Sequence, residues 1–186
     1  MSSRDETNWQ MDQTAIENAR VGYQVATNLW VYEGTTFWSK FNALLVANSI
    51  VLGSIGLSMT TSRHVVVLSI GMPIVGIFLC GFWLLLAKRS FDYYKYWIFS
   101  AREIEERYLS NAVQTVSRGG KFADGGKAEM EIAGEKKPLP MSCWARLLRI
   151  EWASYLIIGL FFAIYMIILI INITNYFVLF IVNIVS

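Results

Sequence analysis

The sequence predicts an all-α membrane protein with three transmembrane helices and cytoplasmic helical extensions. Of its 186 residues, 55% are hydrophobic and only 16% are charged, so lipid must cover much of the apolar surface. Three tracts carry no charged residue: 41–59, 65–87 and 152–186. Each reaches the roughly 18 to 20 residues that cross a hydrocarbon core about 30 Å thick. The predicted architecture also allows a partial fourth span within the third tract.

The distribution of positive charge predicts the orientation of these spans. Of 16 Lys and Arg residues, 15 lie before the first tract or between the second and third, and only Arg63 lies in the turn 60–64. The positive-inside rule therefore places the N-terminus and residues 88–151 in the cytoplasm and the C-terminus outside. Cys80 and Cys143 are not expected to form a disulfide, and no cofactor is expected.

Residues 1–36 are predicted to form a cytoplasmic amphipathic helix of about 20 residues that ends near Gly34. Thr14 and Glu17 have the spacing of a capping box. Apolar residues then follow at steps of three and four, and they include Tyr23 and Trp30. This face is expected to pack on the later cytoplasmic helix or on a neighbouring subunit rather than on the membrane surface. A helix that binds the membrane surface usually carries several Lys or Arg residues.

Residues 37–64 are predicted to contain the first span and an outer turn. Small residues repeat at steps of four, including Ser49 and Gly53, and such rows let helices approach closely in lipid. Asn42 and Asn48 are expected to face protein or water, since a carboxamide among acyl chains is costly. Two interpretations of Asn48 stay open, which are packing against the second span and the lining of a polar path.

Residues 65–117 are predicted to be one helix that crosses the bilayer and continues into the cytoplasm. Pro73 is expected to kink it, which lipid tolerates only when a neighbour satisfies the freed carbonyl, and Trp83 is expected at the interface. Beyond the bilayer an apolar stripe is expected to pack on the face that contains Tyr23 and Trp30. Its members are Tyr94, Trp97, Ala101, Ile104 and Tyr108. This helix is expected to couple cytoplasmic contacts to packing in the membrane.

Residues 118–141 are predicted to be a flexible cytoplasmic loop, because they are rich in glycine and show no periodicity. Residues 142–186 are predicted to form a basic juxtamembrane turn and the third span. In the turn, Arg146 and Arg149 are expected to attract anionic lipid headgroups. The last tract is longer than a bilayer needs, so it either protrudes or breaks near Asn172.

Few residues suit catalysis, and no enzyme is predicted. His64 is the only histidine, which excludes histidine-rich metal sites, and a lipid-modifying enzyme would need paired interfacial carboxylates. The glutamates within 103–106 are expected to form a solvated helix face. The Gly-Gly-Lys sequences that end at Lys121 and Lys127 do not form a phosphate loop. Gly120 and Gly125 have its outer spacing, but Gly126 stands where lysine is needed and no strand is expected before it, so no nucleotide site is predicted.

The cytoplasmic exit of the second span carries a family resemblance. The residues concerned are Trp83, Lys88, Arg89, Tyr94, Tyr96, Trp97 and the glutamates of 103–106. Over roughly residues 15–110, the chain resembles the RipA-like small oligomeric proteins of the bacterial inner membrane. It is also similar in organisation to the pore-forming membrane accessory protein of type VI CRISPR systems. The resemblance implies an octamer-like homo-oligomer, and it does not extend to the third span or the glycine-rich loop.

Two functions stay open at this point. The first is a non-enzymatic homo-oligomeric pore or channel in stress response or antiphage defence, with Asn42, Asn48, Gly53 and Pro73 as pore or packing residues. The second is a non-conducting anchor or sensor that recruits a cytosolic enzyme or other partner. Membrane lipids are expected partners in both cases, and direct nucleic-acid binding is not expected.

Overall fold

The computed structural model describes residues 3–60, 67–109, 113–132, 134–142, 145–146 and 149–185. Its helices are α1 (Ser3–Thr60), α2 (Met72–Ile104), α3 (Thr115–Ala123) and α4 (Ile150–Val185). One π-helical turn, Val67–Gly71, precedes α2, and another, Glu105–Leu109, follows it. Two strands, β1 (Ala128–Ile132) and β2 (Glu135–Leu139), form an antiparallel hairpin. The structure is 87% helical, which confirms the predicted all-α class.

Three helical stretches are long and apolar enough to cross a membrane, and each overlaps most of one predicted span. They are Gln13–Ser58, Leu68–Leu109 and Ile150–Val182. Helix α4 runs unbroken for 36 residues, about 54 Å at 1.5 Å per residue. The alternative of a break near Asn172 is therefore wrong.

Helix α1 continues through Gly34, where the sequence analysis predicted an end. One glycine costs a helix only about 1 kcal/mol relative to alanine, which a long helix with tertiary contacts tolerates. A Cβ at Gly34 would lie 3.8 Å from Tyr94 Cε2, so this glycine faces an aromatic ring. The predicted outer turn, with Arg63 and His64, lies outside the described residues apart from Thr60, and so does Cys143.

The segment 118–141 is not the irregular loop that its composition suggested, since it holds most of α3 and both strands. The residues of β1 alternate between apolar and acidic, which is the period of a half-buried strand. Glycine serves the turns here, because Gly125 and Gly134 have φ of 84° and 79°, a region that other residues rarely adopt. The glycine content therefore indicated tight turns rather than flexibility.

The chain divides into two compact units. Unit 1 comprises Met1–Thr35 and Ser90–Arg149, and unit 2 comprises Thr36–Arg89 and Ile150–Ser186. Helices α1 and α2 each contribute residues to both units, whereas α3 and the hairpin belong to unit 1 and α4 belongs to unit 2.

Tyr165 of α4 lies at the centre of unit 2 with 0% of its surface exposed. Its hydroxyl lies 2.9 Å from the carbonyl oxygen of Asn48 and 3.2 Å from Asn48 Oδ1. Its ring rests on Gly76, where a Cβ would collide with the ring carbons. One residue from each of α1, α2 and α4 thus meets at this point, and Gly76 is required for the close approach.

Trp83 is 1% exposed and packs between helices instead of anchoring at the interface as predicted. Its ring centroid is 4.8 Å from that of Phe41 on α1 and 5.9 Å from that of Phe161 on α4. Trp83 follows Gly76 and Cys80 at steps of four and three, so it shares the inward face of α2. Position along the sequence indicated depth in the membrane, whereas the helical period decided burial.

Pro73 is buried at the beginning of α2, directly after the π-helical turn. A proline cannot donate to the carbonyl four residues earlier, which here belongs to Ser69. Asn172 Nδ2 of α4 donates to that oxygen at 2.6 Å. A neighbouring helix thus supplies a donor to the carbonyl, as the sequence analysis required for a proline within a span.

Replacing Gly76 with alanine is expected to destabilise unit 2 by about 1 to 3 kcal/mol, since it overpacks the Tyr165 ring. Gly81→Ala is the matched control, because nothing lies within 4 Å of a Cβ there. Thermal unfolding of the full chain in detergent should show a lower midpoint for Gly76→Ala alone. Equal midpoints for the two variants would contradict this packing.

Candidate functional site

A row of exposed residues, all small or polar except Val46, lies on the outward face of α1 in unit 2. The row, called here the α1 stripe, consists of Asn42, Val46, Ser49, Gly53 and Gly56, at steps of four, three, four and three. All five are exposed, and nothing lies within 4 Å of a Cβ built at either glycine. The glycines therefore do not serve packing within the described protomer.

The opposite face of α1 is buried and includes Phe41, Asn48, Val51 and Ile55. Asn48 is 0% exposed, and Cys80 Sγ lies 3.6 Å from its Oδ1. Its Nδ2 donates to the Leu44 carbonyl at 2.8 Å. Asn48 thus occupies the packing position that was one of its two interpretations, with its carboxamide satisfied inside unit 2.

The structure therefore separates the four residues that the sequence grouped as pore or packing candidates. Asn42 and Gly53 lie together on the α1 stripe, while Asn48 and Pro73 are buried. Ser49 donates to the Leu45 carbonyl at 2.8 Å, so its hydroxyl is satisfied by its own helix. Among the described residues, no protein group bonds the exposed Asn42 carboxamide, so its hydrogen-bond partners lie outside the protomer.

In unit 1, the aromatic stripe of α2 packs on the Tyr23 and Trp30 face of α1, as predicted. The ring centroids of Trp30 and Tyr94 are 5.5 Å apart. Ile104 Cδ1 would lie 3.5 Å from a Cβ at Gly22, which is van der Waals contact. The apolar faces of the two helices are therefore paired within unit 1.

One member of the predicted aromatic stripe lies differently. Trp97 is half-buried, as Tyr94 is, and its ring lies edge-on to that of Tyr96. Tyr108 is 51% exposed, so its inclusion in the packed face was wrong. The π-helical turn Glu105–Leu109 widens the helix by a residue per turn, which shifts later residues off the stripe. Glu105 occupies the inward position instead.

Glu105 is 1% exposed, which contradicts the solvated face predicted for it. Its Oε1 accepts hydrogen bonds from Tyr23 Oη at 3.0 Å and from the Val116 amide at 2.9 Å, and its Oε2 accepts from the Ser117 amide at 2.7 Å. These amides are in the first turn of α3, and Gln114, the residue before it, makes no side-chain cap. Glu105 therefore caps α3 from another helix and joins it to α1 through Tyr23.

Ionisation of Glu105 follows from these contacts. Burial opposes the charge, but the hydrogen bonds from Ser117, Val116 and Tyr23 outweigh it and hold the pKa of Glu105 below its usual value of 4.5. Burial, and then the bond to Glu105, raises the pKa of Tyr23 to about 12. At neutral pH a charged acceptor thus faces a protonated donor.

The sequence analysis did not predict the burial of Glu105, because it gave more weight to the charge of this residue than to its position in the helical period. Glu105 follows Ala101 by four residues, so it continues the apolar stripe of α2, and a glutamate within such a stripe indicates a buried polar contact. Its neighbour Glu103 does lie on the exposed face of the helix, where its Oε1 pairs with Arg107 Nη2 at 2.9 Å. The same acidic cluster therefore contains one buried carboxylate, Glu105, and two exposed ones, Glu103 and Glu106.

Unit 1 also contains an arginine beside α3 and two arginines in the juxtamembrane turn. The Arg102 guanidinium lies against Gly120, where any side chain would collide with it, and 5.3 Å from the Phe99 ring centroid. Arg146 and Arg149 are exposed, and their binding of lipid headgroups stays a prediction. Among the described residues, no group of His, Cys, Asp and Glu could hold a metal ion.

Comparison with known proteins places this architecture in a family. Residues 22–175, most of the chain and parts of both units, match the octameric membrane protein family, 8xMP. The chain belongs to the octameric membrane protein family. Neither a curated protein nor a solved structure matches it. The family supports a membrane protein that associates with copies of itself, which is the coarser part of what the sequence analysis expected.

Replacing Glu105 with glutamine is expected to weaken the cap of α3 by about 1 to 2 kcal/mol, because the charge leaves the hydrogen bonds. Hydrogen exchange of the full chain at pH 7 should become faster at Val116 and Ser117. Glu106→Gln, an exposed neighbour, is the control and should leave both amides protected. Unchanged protection in Glu105→Gln would contradict the cap.

The lowered pKa of Glu105 predicts a specific dependence of stability on pH. Its contribution is fully present above its ordinary value of 4.5 and is lost as the pH falls through the lower folded value. The difference in thermal midpoint between the wild type and Glu105→Gln should therefore shrink as the pH falls below about 4.5. A difference that is constant with pH would contradict this assignment.

Proposed function

We propose that this protein is a non-enzymatic homo-oligomeric pore or channel of the bacterial inner membrane, with the α1 stripe facing the inside of the assembly. The observation that carries the proposal is the exposed stripe itself, which combines the exposed carboxamide of Asn42 with open glycines in a membrane-spanning helix. Membership of an octameric family supplies the copies that would cover it.

Lipid is a poor environment for such a face. Placing a carboxamide without a hydrogen-bond partner among acyl chains costs roughly several kcal/mol of free energy. Water in a pore, or a polar group on another copy of the chain, would supply that partner. Small residues let neighbouring backbones approach closely, which is how helices associate where water expulsion no longer drives them. Asn48 offers a contrast, because its carboxamide is already satisfied inside the protomer.

The remaining parts of the proposal rest on sequence. The family name supports an octamer-like stoichiometry, and the charge asymmetry supports unit 1 in the cytoplasm. The resemblance to RipA-like proteins and to the accessory protein of type VI CRISPR systems supports a role in stress response or antiphage defence. In such a role, a cytoplasmic signal would act on unit 1 and change permeability.

Dye release from liposomes tests the proposal with a matched pair of variants. Gly53→Leu places bulk on the α1 stripe, while Gly81→Leu places the same bulk at an equally open glycine of α2. Release should fall about tenfold for Gly53→Leu, equivalent to about 1.4 kcal/mol, and stay at wild-type level for Gly81→Leu. Asn42→Leu should lower release without dissociating the oligomer, since it removes polarity and keeps the size.

Light scattering of each purified variant gives the oligomer size beside each release value. A wild type that is a strict monomer, or an oligomer that leaks no more than empty liposomes, would overturn the pore. Equal losses for Gly53→Leu and Gly81→Leu would overturn the assignment of the stripe.

A second candidate is a non-conducting anchor or sensor that recruits a cytosolic partner. The observation that favours it is an apolar groove of about 630 Å³ in unit 1, between α3 and the hairpin. The groove is lined in part by Phe122, Met130, Ile132 and Leu139, and the last three are exposed. An assembly that does not leak, and a co-purifying protein that Ile132→Ser releases while Ile150→Ser retains, would favour this candidate.

A further inference from the structure

A second cavity in unit 1, of about 360 Å³, is surrounded by positive charge. It lies between α3 and the hairpin, and its polar lining consists of Gln114, Arg118, Lys121, Lys127, Glu129 and Lys136. Four of these six side chains are cationic and one is acidic. Its volume is within the range of about 300 to 1,000 Å³ that is usual for small-ligand sites.

Among the side chains that the structure describes, no carboxylate forms a salt bridge with these cations. Among the described residues, Lys121, Lys127 and Lys136 make no salt bridge, and Arg118 Nε bonds only the neutral Gln114 Oε1, at 3.3 Å. The neighbouring Lys137 pairs with Glu135 at 3.7 Å and does not line the cavity. Like charges around one cavity repel each other, and an anion between them would remove that repulsion.

The local backbone brings the two Gly-Gly-Lys lysines together. The Gly126 amide donates to the Lys121 carbonyl at 2.8 Å, and a Cβ at Gly126 would approach that oxygen to 2.9 Å. With Gly125 at φ 84°, the chain reverses tightly at the end of α3. Lys127 therefore returns to the same cavity as Lys121, with Arg118 one turn earlier on α3.

We propose that this cavity binds a small phosphate-bearing anion, through Lys121, Lys127 and Lys136 as ammonium donors and Arg118 as a planar donor. Ammonium and guanidinium groups form strong, charge-assisted hydrogen bonds with phosphate oxygens. The proposed donors are side chains and not the backbone amides of a phosphate loop. The site therefore does not require the sequence motif of such a loop. A free phosphate compound and an anionic lipid headgroup share this chemistry. The site stands independently of the pore.

Calorimetry on the full chain in a non-ionic detergent separates the two sources. One titration uses pyrophosphate, and the other uses dihexanoyl phosphatidylglycerol below its micelle concentration, with dihexanoyl phosphatidylcholine as the uncharged-headgroup comparison. Saturable heat with pyrophosphate assigns a free phosphate compound. Saturable heat with the phosphatidylglycerol alone assigns a lipid headgroup. Absence of saturable heat with both probes overturns the site.

Substitutions in the lining test where the probe binds. The double variant Lys121→Gln with Lys127→Gln should weaken binding of the active probe about tenfold, since each lysine near an anionic group contributes to the binding free energy. Glu129→Gln should strengthen it, because a repelling carboxylate leaves. Lys137→Gln is the matched control from the same hairpin and should bind as the wild type does.

All four substituted side chains are exposed, so the variants are expected to keep the wild-type thermal midpoint, which is measured alongside. Wild-type affinity in the double variant would overturn the site. An equal loss in Lys137→Gln would also overturn it, because it would indicate general attraction to a basic surface.

Discussion

The contact between the Tyr165 ring, Gly76 and Asn48 is the constraint on which the arrangement of unit 2 depends. Each of the three long helices supplies one member, and the contact requires a glycine where the ring lies. Because Asn48 must face inward to meet Tyr165, the helical period turns the other side of α1 outward. The α1 stripe is thus exposed as a direct consequence of how the protomer packs.

Unit 1 uses a buried charge in a comparable way. Glu105 caps α3 and also accepts the Tyr23 hydroxyl, so a single carboxylate fixes elements that are distant in sequence. Removing one partner of such a buried charge is costly, which makes the position of α3 depend on α1. Both the apolar groove and the basic cavity lie beside α3, so both depend on this cap.

The sequence predicted the class, the three apolar spans and the pairing of the aromatic faces, because hydropathy and period are local properties. It did not predict the burial of Glu105, because the acidic residues were interpreted as solvated although Glu105 continues the apolar stripe from Ala101. It placed Tyr108 on that stripe wrongly, since a π-helical turn changes the period without a composition signal. Gly34 and residues 118–141 were misjudged because glycine was interpreted as a breaker, whereas tertiary contact and turn geometry decided the outcome. Asn42 and Asn48 looked alike in sequence, and only the position of Tyr165 separated them.

Cysteine cross-linking in native membranes tests most directly whether the α1 stripe lies inside the assembly. Gly53→Cys and Gly81→Cys are placed singly in a chain whose Cys80 and Cys143 are changed to alanine, and the membranes are oxidised. Covalent dimers from Gly53→Cys and none from Gly81→Cys are the predicted result. Dimers from Gly81→Cys with only monomers from Gly53→Cys would contradict the account.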